Sequence, residues 1–204
     1  MYSPKFNQVA DRTVLIEAMR AYSFATLFGP PEGADGFTAT HLPLVVKDEG
    51  PHGLLEGHFA KANRHWQALA GRETLVVFNG PHSYVSPTLY VEELSVPTWN
   101  YIAIHAYGTL ELVEGEAEKD ALLKGLIGAN EPAFAEKWNA MPEGFRRTML
   151  AGIQGFRIPI SRIEGKFKIS QNRTPQERAS IQAAHASGTA DQQALAAWMA
   201  RLIG

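Results

Sequence analysis

Between Ser23 and Val113 the chain reads as a run of short β-rich stretches with almost nothing helical between them, and that run decides the class of fold. The stretches are "SFATLF", "GFTATHLPLVV", "GLLEGHFA", "ETLVVFNG", "HSYVSP" and "TWNYIAIHAYGTLELV". β-Branched and aromatic residues fill them, and Gly, Pro and Asp clusters separate them. One short helical insert, "NRHWQALAG", interrupts the series, with Asn63 placed to cap it. No βαβ period of about 30 residues is present, so the sheet is predicted antiparallel. Antiparallel strands this closely spaced curl into a sandwich or barrel.

Helices frame the strands. "DRTVLIEAMRAY" carries Val14, Leu15, Ala18 and Met19 at helical spacing, with Asp11 as its cap. After Val113 come "GEAEKDALLKGLIGANE", a linking "PAFAEKWNAM", and "PEGFRRTMLAGI". A strand pair, "IQGFRIPISRIEG" and "KFKIS", is predicted to return to the sheet. "TPQERASIQAAHASG" and "ADQQALAAWMARLI" close the chain as helices, the first started by Thr174 with Pro175 behind it. The expectation is an α+β chain: one domain over residues 1–181 and a C-terminal helical extension, 182–204, packed on it.

Composition removes several functions. The 204 residues are 45% apolar, enough for one sizeable core, yet no apolar run approaches the ~18 residues of a membrane span. "MYSPKFNQVADR" lacks the apolar stretch of a secretion signal, so the cytoplasm is expected. With no cysteine there is no disulfide, thiolate nucleophile or Cys-based zinc site. A net charge of −2 gives no general attraction to nucleic acid or anionic membranes. Neither GxxxxGK[ST], GxGxxG nor GxSxG occurs in a suitable setting. The seven histidines form no HxH or HxxxH pair, so no metal is expected.

What remains is a set of polar side chains on strands. Thr40 and His41 sit side by side on "GFTATHLPLVV", and period two sends them to opposite faces. Lys61 and Asn63 follow "GLLEGHFA", while Ser83 and Ser86 flank Tyr84. In "VPTWNYIAIHAYG", Trp99 and Tyr101 face one way and Asn100 the other. Near the end, "KFKISQNR" holds Lys168, Gln171 and Asn172. Each alone reads as an ordinary surface, cap or core residue. Together they match what an anionic, flat ligand such as FMN asks for: cations and hydroxyls for a phosphate, rings and amides for the isoalloxazine.

"MYSPKFNQVAD", "FTATHLPLVV", "GLLEGHFAKANRHW", "FNGPHSYVSPTLY", "VPTWNYIAIHAYG" and "GFRIPISRIEGKFKISQNR" resemble, in order and spacing, the PaiB-type FMN-binding negative transcriptional regulators. The resemblance runs from Met1 to about Ile181, with Phe167 where that family often has Trp. It implies a split β-barrel like those of pyridoxamine phosphate oxidases and flavin reductases, and a homodimer with FMN at the subunit interface. It further implies phosphate contacts from Lys61, Ser83, Ser86 and Lys168. Ring contacts are implied for Thr40, His41, Trp99, Asn100 and Tyr101, joined by Asn63 and Tyr84 as cofactor-site residues, with Gln171 and Asn172 from the partner subunit.

Three functions follow. The first is a flavin-binding negative regulator; the second is an FMN-dependent oxidoreductase or flavin reductase. In the second, flavin N5 does the hydride chemistry, and His41 and His58 are the titratable candidates. The third is direct DNA binding, since six basic and two acidic residues lie between Arg157 and Arg178, though no recognition helix accompanies them. A local irregularity is predicted near Pro97, to let the backbone of residues 98–101 face a ligand.

Overall fold

The computed structural model describes residues 1–31, 33 and 35–203. In chain order it runs β1 (Gln8–Val9), α1 (Arg12–Ala21), β2 (Phe24–Gly29), β3 (Thr38–Pro43), β4 (Val45–Lys47), β5 (Leu54–Ala60), α2 (His65–Leu69) and β6 (Glu73–Val85). Then follow β7 (Thr98–Thr109), β8 (Glu111–Val113), α3 (Glu116–Asn130), α4 (Phe134–Ala140), α5 (Glu143–Ala151) and β9 (Ile153–Pro159). The chain ends with β10 (Arg162–Lys168), α6 (Pro175–Ala186) and α7 (Ala190–Ile203).

The chain divides into two compact units, and β6 and β7 run through both. The strand unit comprises Arg12–Phe78 and His105–Ile163. There α1 buries Val14, Leu15, Ala18 and Met19, the stripe its sequence spacing predicts, and Ile16 with them. The neighbouring strands β6, β2 and β3 form one sheet, with β2 antiparallel to β3 from Phe24↔Pro43 to Gly29↔Thr38. A second sheet, in the order β4-β5-β9-β8, is antiparallel throughout. Leu55, Phe59, Phe156 and Ile158 are fully buried, and the Phe59 and Phe156 rings lie 5.0 Å apart between centroids.

The terminal unit comprises Met1–Asp11, Asn79–Ile104 and Glu164–Gly204. Its strands lie in the order β1-β10-β7-β6. The α6–α7 pair is anchored by Ile181, Leu195, Trp198 and Met199, and Trp198 meets Phe167 edge-on at 5.4 Å. Thr174 caps α6 with the reciprocal Thr174–Glu177 box. The helix runs unbroken across the 181–182 boundary read from the sequence, and Gly204 lies outside the described residues.

Three local expectations change. "GFTATHLPLVV" is not one strand. Pro43, which has no N–H for a ladder, ends β3, and β4 joins the other sheet. "ETLVVFNG" and "HSYVSP" are one continuous strand, β6, whose buried positions move from even to odd numbers at Asn79–Gly80. "IQGFRIPISRIEG" and "KFKIS" do not pair with each other. β9 stops at Pro159 and pairs with β5 and β8, whereas β10 pairs with β1.

Candidate functional site

In the strand unit the polar residues gather where β5 turns into α2. The turn is closed by the Asn63 N–H donating to the Ala60 carbonyl at 2.8 Å, and Lys61 N–H is held by Gly152 at 2.8 Å. Asn63 does its capping work one residue early. Arg64, with helical backbone angles, occupies the cap position, and the Asn63 side-chain oxygen accepts the His65 N–H at 3.2 Å. The Asn63 amide also reaches the Thr40 hydroxyl at 3.4 Å, and that hydroxyl lies 2.9 Å from His65 Nδ1. Asn63 donates to the Thr40 hydroxyl, and that hydroxyl shares one proton with His65 Nδ1, the direction being set by the imidazole tautomer. Nε2 is buried without a partner. It lies over Gly29, where any Cβ would strike Leu69 and come within 3.6 Å of that nitrogen.

Thr40 and Asn63 are therefore joined, with His65 of the helical insert bonded to both. The local signal was present: a histidine two residues after an Asx residue that opens a helix. His41 belongs elsewhere. It bonds Thr26 at 2.8 Å and stacks on the exposed Phe24 at 6.3 Å. Lys61 projects into solvent.

In the terminal unit, β7 sorts its side chains strictly by parity. Asn100 is 0% exposed, while Trp99 is 52% exposed and Tyr101 half-buried. The irregularity predicted near Pro97 stays outside the strand: Pro97 lies in the irregular chain just before β7, and the inside–outside alternation is unbroken from Trp99 to Gly108. Inside, Asn100 and Ser170 exchange two hydrogen bonds, of 2.9 and 3.1 Å, and the Lys168 ammonium donates to Thr98. Outside, Trp99 stacks on His82 at 6.0 Å and meets Tyr84 edge-on at 6.3 Å, and Lys166 lies 5.3 Å over the Tyr101 ring.

The remaining predicted residues take local roles. Ser83 is buried and donates to the Tyr84 carbonyl at 3.1 Å. Ser86 accepts from the Thr88 N–H at 3.2 Å. Gln171 folds back on its own chain, taking the Ile169 N–H at 2.8 Å and donating to the Phe167 carbonyl. Asn172 is exposed. Thr98, His82 and Ser170 join the predicted residues as their partners. Ser170 is the one non-glycine among the described residues with positive φ, at 68°.

Three histidines carry a pH dependence. Burial holds His58, His65 and His185 below the ordinary value of 6.5, and each has one ring nitrogen buried without a partner. The unfolded chain binds protons at these residues that the folded chain refuses. Stability is therefore complete above about pH 6.5 and falls as pH drops from there through the lower folded values. Melting temperatures measured from pH 8 to pH 5 will decline below about 6.5. The decline will be shallower in His185→Gln; an unchanged profile in that variant would remove His185 from this account.

FMN fits the chemistry of these side chains. The strand unit offers an exposed ammonium, Lys61, beside a turn whose Asn63 amide meets the Thr40 hydroxyl of β3; the terminal unit offers the exposed Trp99 indole of β7 against the His82 and Tyr84 rings of β6.

Residues 1–162 match the family described as "Putative FMN-binding domain". Among characterised sequences, the chain is 35% identical over 179 residues to the protease synthase and sporulation protein PAI 2 of Bacillus subtilis (strain 168), covering 85% of this chain and 83% of that protein. Among solved structures, the FAD and heme binding protein from Mycobacterium smegmatis superposes with a TM-score of 0.64 at 17% identity, covering 90% of this chain and 81% of that one. The flavocytochrome Anf3 from Azotobacter vinelandii gives 0.61 at 16% identity, covering 79% and 69%. At such identities the structural likeness speaks for the fold, and it bears out the α+β antiparallel class. The matched length and the PAI 2 identity settle the lineage: this chain belongs to the FMN-binding domain family, and its cofactor is FMN.

Proposed function

We propose that this FMN-binding protein acts as a homodimer and as a negative regulator of transcription. The observation that carries the dimer is the open outer face of β7 and β6, where Trp99, Tyr84 and Tyr101 leave ring surface in solvent. Stable partners cover such surfaces, and the centre of an interface is enriched in Trp and Tyr. Regulation rests on the PaiB-type resemblance and on the kinship with PAI 2. With a net charge of −2, any direct contact with DNA is weak and salt-sensitive.

Each residue is assigned by the chemistry it still has to offer. Lys61 supplies positive charge to the phosphate, with Thr40 and Asn63 held in place beside it by His65. Within the terminal unit, Ser86 and Lys168 are the groups suited to donate to a phosphate. Trp99, Tyr84 and Tyr101 supply ring surface, and His41 and the partner subunit's Gln171 and Asn172 supply polar edges. Asn100 and Ser83 work from inside the sheet, supporting the strands rather than touching the ligand. Bound FMN would bring electron and hydride transfer at its ring system; the protein's part is binding, orientation and electrostatics.

The test is titration of the apo-protein with FMN and riboflavin. Lys61→Ala is expected to weaken FMN by about 10- to 100-fold, the worth of one charge-assisted hydrogen bond, and to leave riboflavin affinity unchanged. Equal loss for both flavins would remove Lys61 from the phosphate. Sedimentation of Trp99→Ala checks the interface: the parent should be dimeric at micromolar concentration and the variant shifted toward monomer.

A further inference from the structure

The C-terminal pair α6–α7 lies beyond residue 162, where the match to the FMN-binding domain ends, so membership of the family assigns it no task. Within the terminal unit, three of its polar and ring contacts reach β6 or the segment that joins β6 to β7. Arg173, just before α6, lays its guanidinium 3.6 Å over the Tyr90 ring. Glu177, in the first turn of α6, accepts the Val91 N–H at 3.2 Å. Asp191, in the first turn of α7, lies 3.5 Å from His82, the imidazole on which Trp99 stacks.

Other backbone bonds of the gripped segment are short-range: the Tyr90 N–H donates to Pro87 at 3.0 Å and the Ser95 N–H to Glu93 at 3.1 Å. Residues 90–97 belong to no strand or helix, so no ladder holds their backbone. They also expose Val91, Leu94 and Val96, with Leu94 94% exposed. A stretch without its own hydrogen-bond ladder takes its shape from its anchors. It lies directly between Ser86 and Trp99, residues assigned above to the flavin.

Glu177 divides its carboxylate between two tasks. One oxygen closes the capping box by accepting the Thr174 N–H at 3.2 Å; the other takes Val91, 86 residues away. The side chain is buried at 4% exposure. Burial pushes its proton affinity up, but the backbone N–H groups of Thr174 and Val91 outweigh this and hold it below the ordinary carboxylate value. At neutral pH it is a buried anion bonded to two backbone amides.

We propose that Glu177 is a positioning residue: through it the C-terminal helix pair holds the Tyr90–Val96 segment and so keeps Ser86 and Trp99 placed for flavin. This rests on the assignment of Ser86 and Trp99 to FMN, and it gives the helix pair a part in flavin affinity.

Glu177→Gln separates this from a merely structural role. Glutamine serves the capping box as glutamate does, so α6 keeps its cap. Its single carbonyl oxygen cannot also accept the Val91 N–H, and its amide hydrogens face that N–H instead. The expected result is a urea midpoint near the parent's, with Val91 amide exchange accelerated about tenfold or more. FMN affinity is expected to fall about tenfold, and the visible circular dichroism of the bound flavin to change. Glu177→Ala, which loses both tasks, should show the same flavin defect plus a lowered midpoint. Unaltered Val91 exchange in Glu177→Gln would overturn the grip. Accelerated exchange with parental FMN affinity would overturn the link to flavin. A parent that binds no FMN would instead sink the cofactor assignment and the link with it. The exchange comparison, run without flavin, would then still judge the grip alone.

Discussion

Replacing Glu56 with alanine will lower the free energy of unfolding by about 3 kcal/mol, the largest effect expected of any polar substitution in this chain. Glu56 lies on β5, 2% exposed. One oxygen binds Lys47 Nζ at 2.8 Å and the other Arg157 Nε at 2.8 Å. The pairing follows from register: Arg157 is directly opposite on β9, while Lys47 is two residues from Val45, the position opposite on β4. Arg157 also reaches Glu118 at 3.5 Å. Burial pushes the Glu56 carboxyl upward, but bonds and attraction from Lys47 and Arg157 outweigh it, so it stays charged well below neutrality.

Truncation takes the shared carboxylate from two half-buried cations, leaving Arg157 with Glu118. Removing one member of a buried ion pair typically costs about 3–5 kcal/mol, and the partial exposure of Lys47 and Arg157 places this case at the lower end. Because the folded carboxyl titrates below its ordinary value of 4.5, its contribution is present above that pH and is lost as pH falls through the folded value. The gap between parent and Glu56→Ala in urea unfolding should therefore be widest near neutrality and narrow in acid. A constant gap across pH would mean the loss is one of packing rather than charge.

Asn100→Ala is expected to cost about 2–3 kcal/mol. The side chain is wholly buried, and both of its polar atoms are used by one hydroxyl, that of Ser170. Alanine removes both bonds, strands the buried hydroxyl and leaves a small void. Ser170 holds a left-handed backbone at φ 68°, which glycine adopts without strain. The two substitutions should therefore couple. In Asn100→Ala with Ser170→Gly no stranded hydroxyl remains, so the double variant should lose less than the sum of the two single losses. Urea denaturation of the four proteins gives the coupling directly, and strict additivity would mean that Asn100 stabilises the strand by some route other than Ser170.

Much of this was written locally. Period-two alternation in "TWNYIAIHAYG" put Asn100 on one face and Trp99 and Tyr101 on the other, and the strand keeps that alternation at every position from Trp99 to Gly108, with the Asn100 face turned inward. The start of α6 was legible in Thr174 and Pro175, because a cap is made by residues three apart. The helical stripe of α1 and the antiparallel character of the sheets were equally plain, since turn residues and hydrophobic period are properties of short windows.

What tertiary structure alone decided is which partner each face meets. Nothing in "GFTATHLPLVV" announced that Pro43 would hand its two halves to different sheets, or that β9 and β10 would leave each other for strands far away in the chain. The polar contacts that matter most are of the same kind: Thr40 with His65 across 25 positions, Asn100 with Ser170 across 70, Glu177 with Val91 across 86, Glu56 with Arg157 across 101. A buried polar group must find a partner, so the sequence determined that Glu56 and Asn100 would be bonded once their strands placed them inside. Which groups would bond them was left to the packing of the sheets. A period of two records which side faces inward, and carries no information about what waits there.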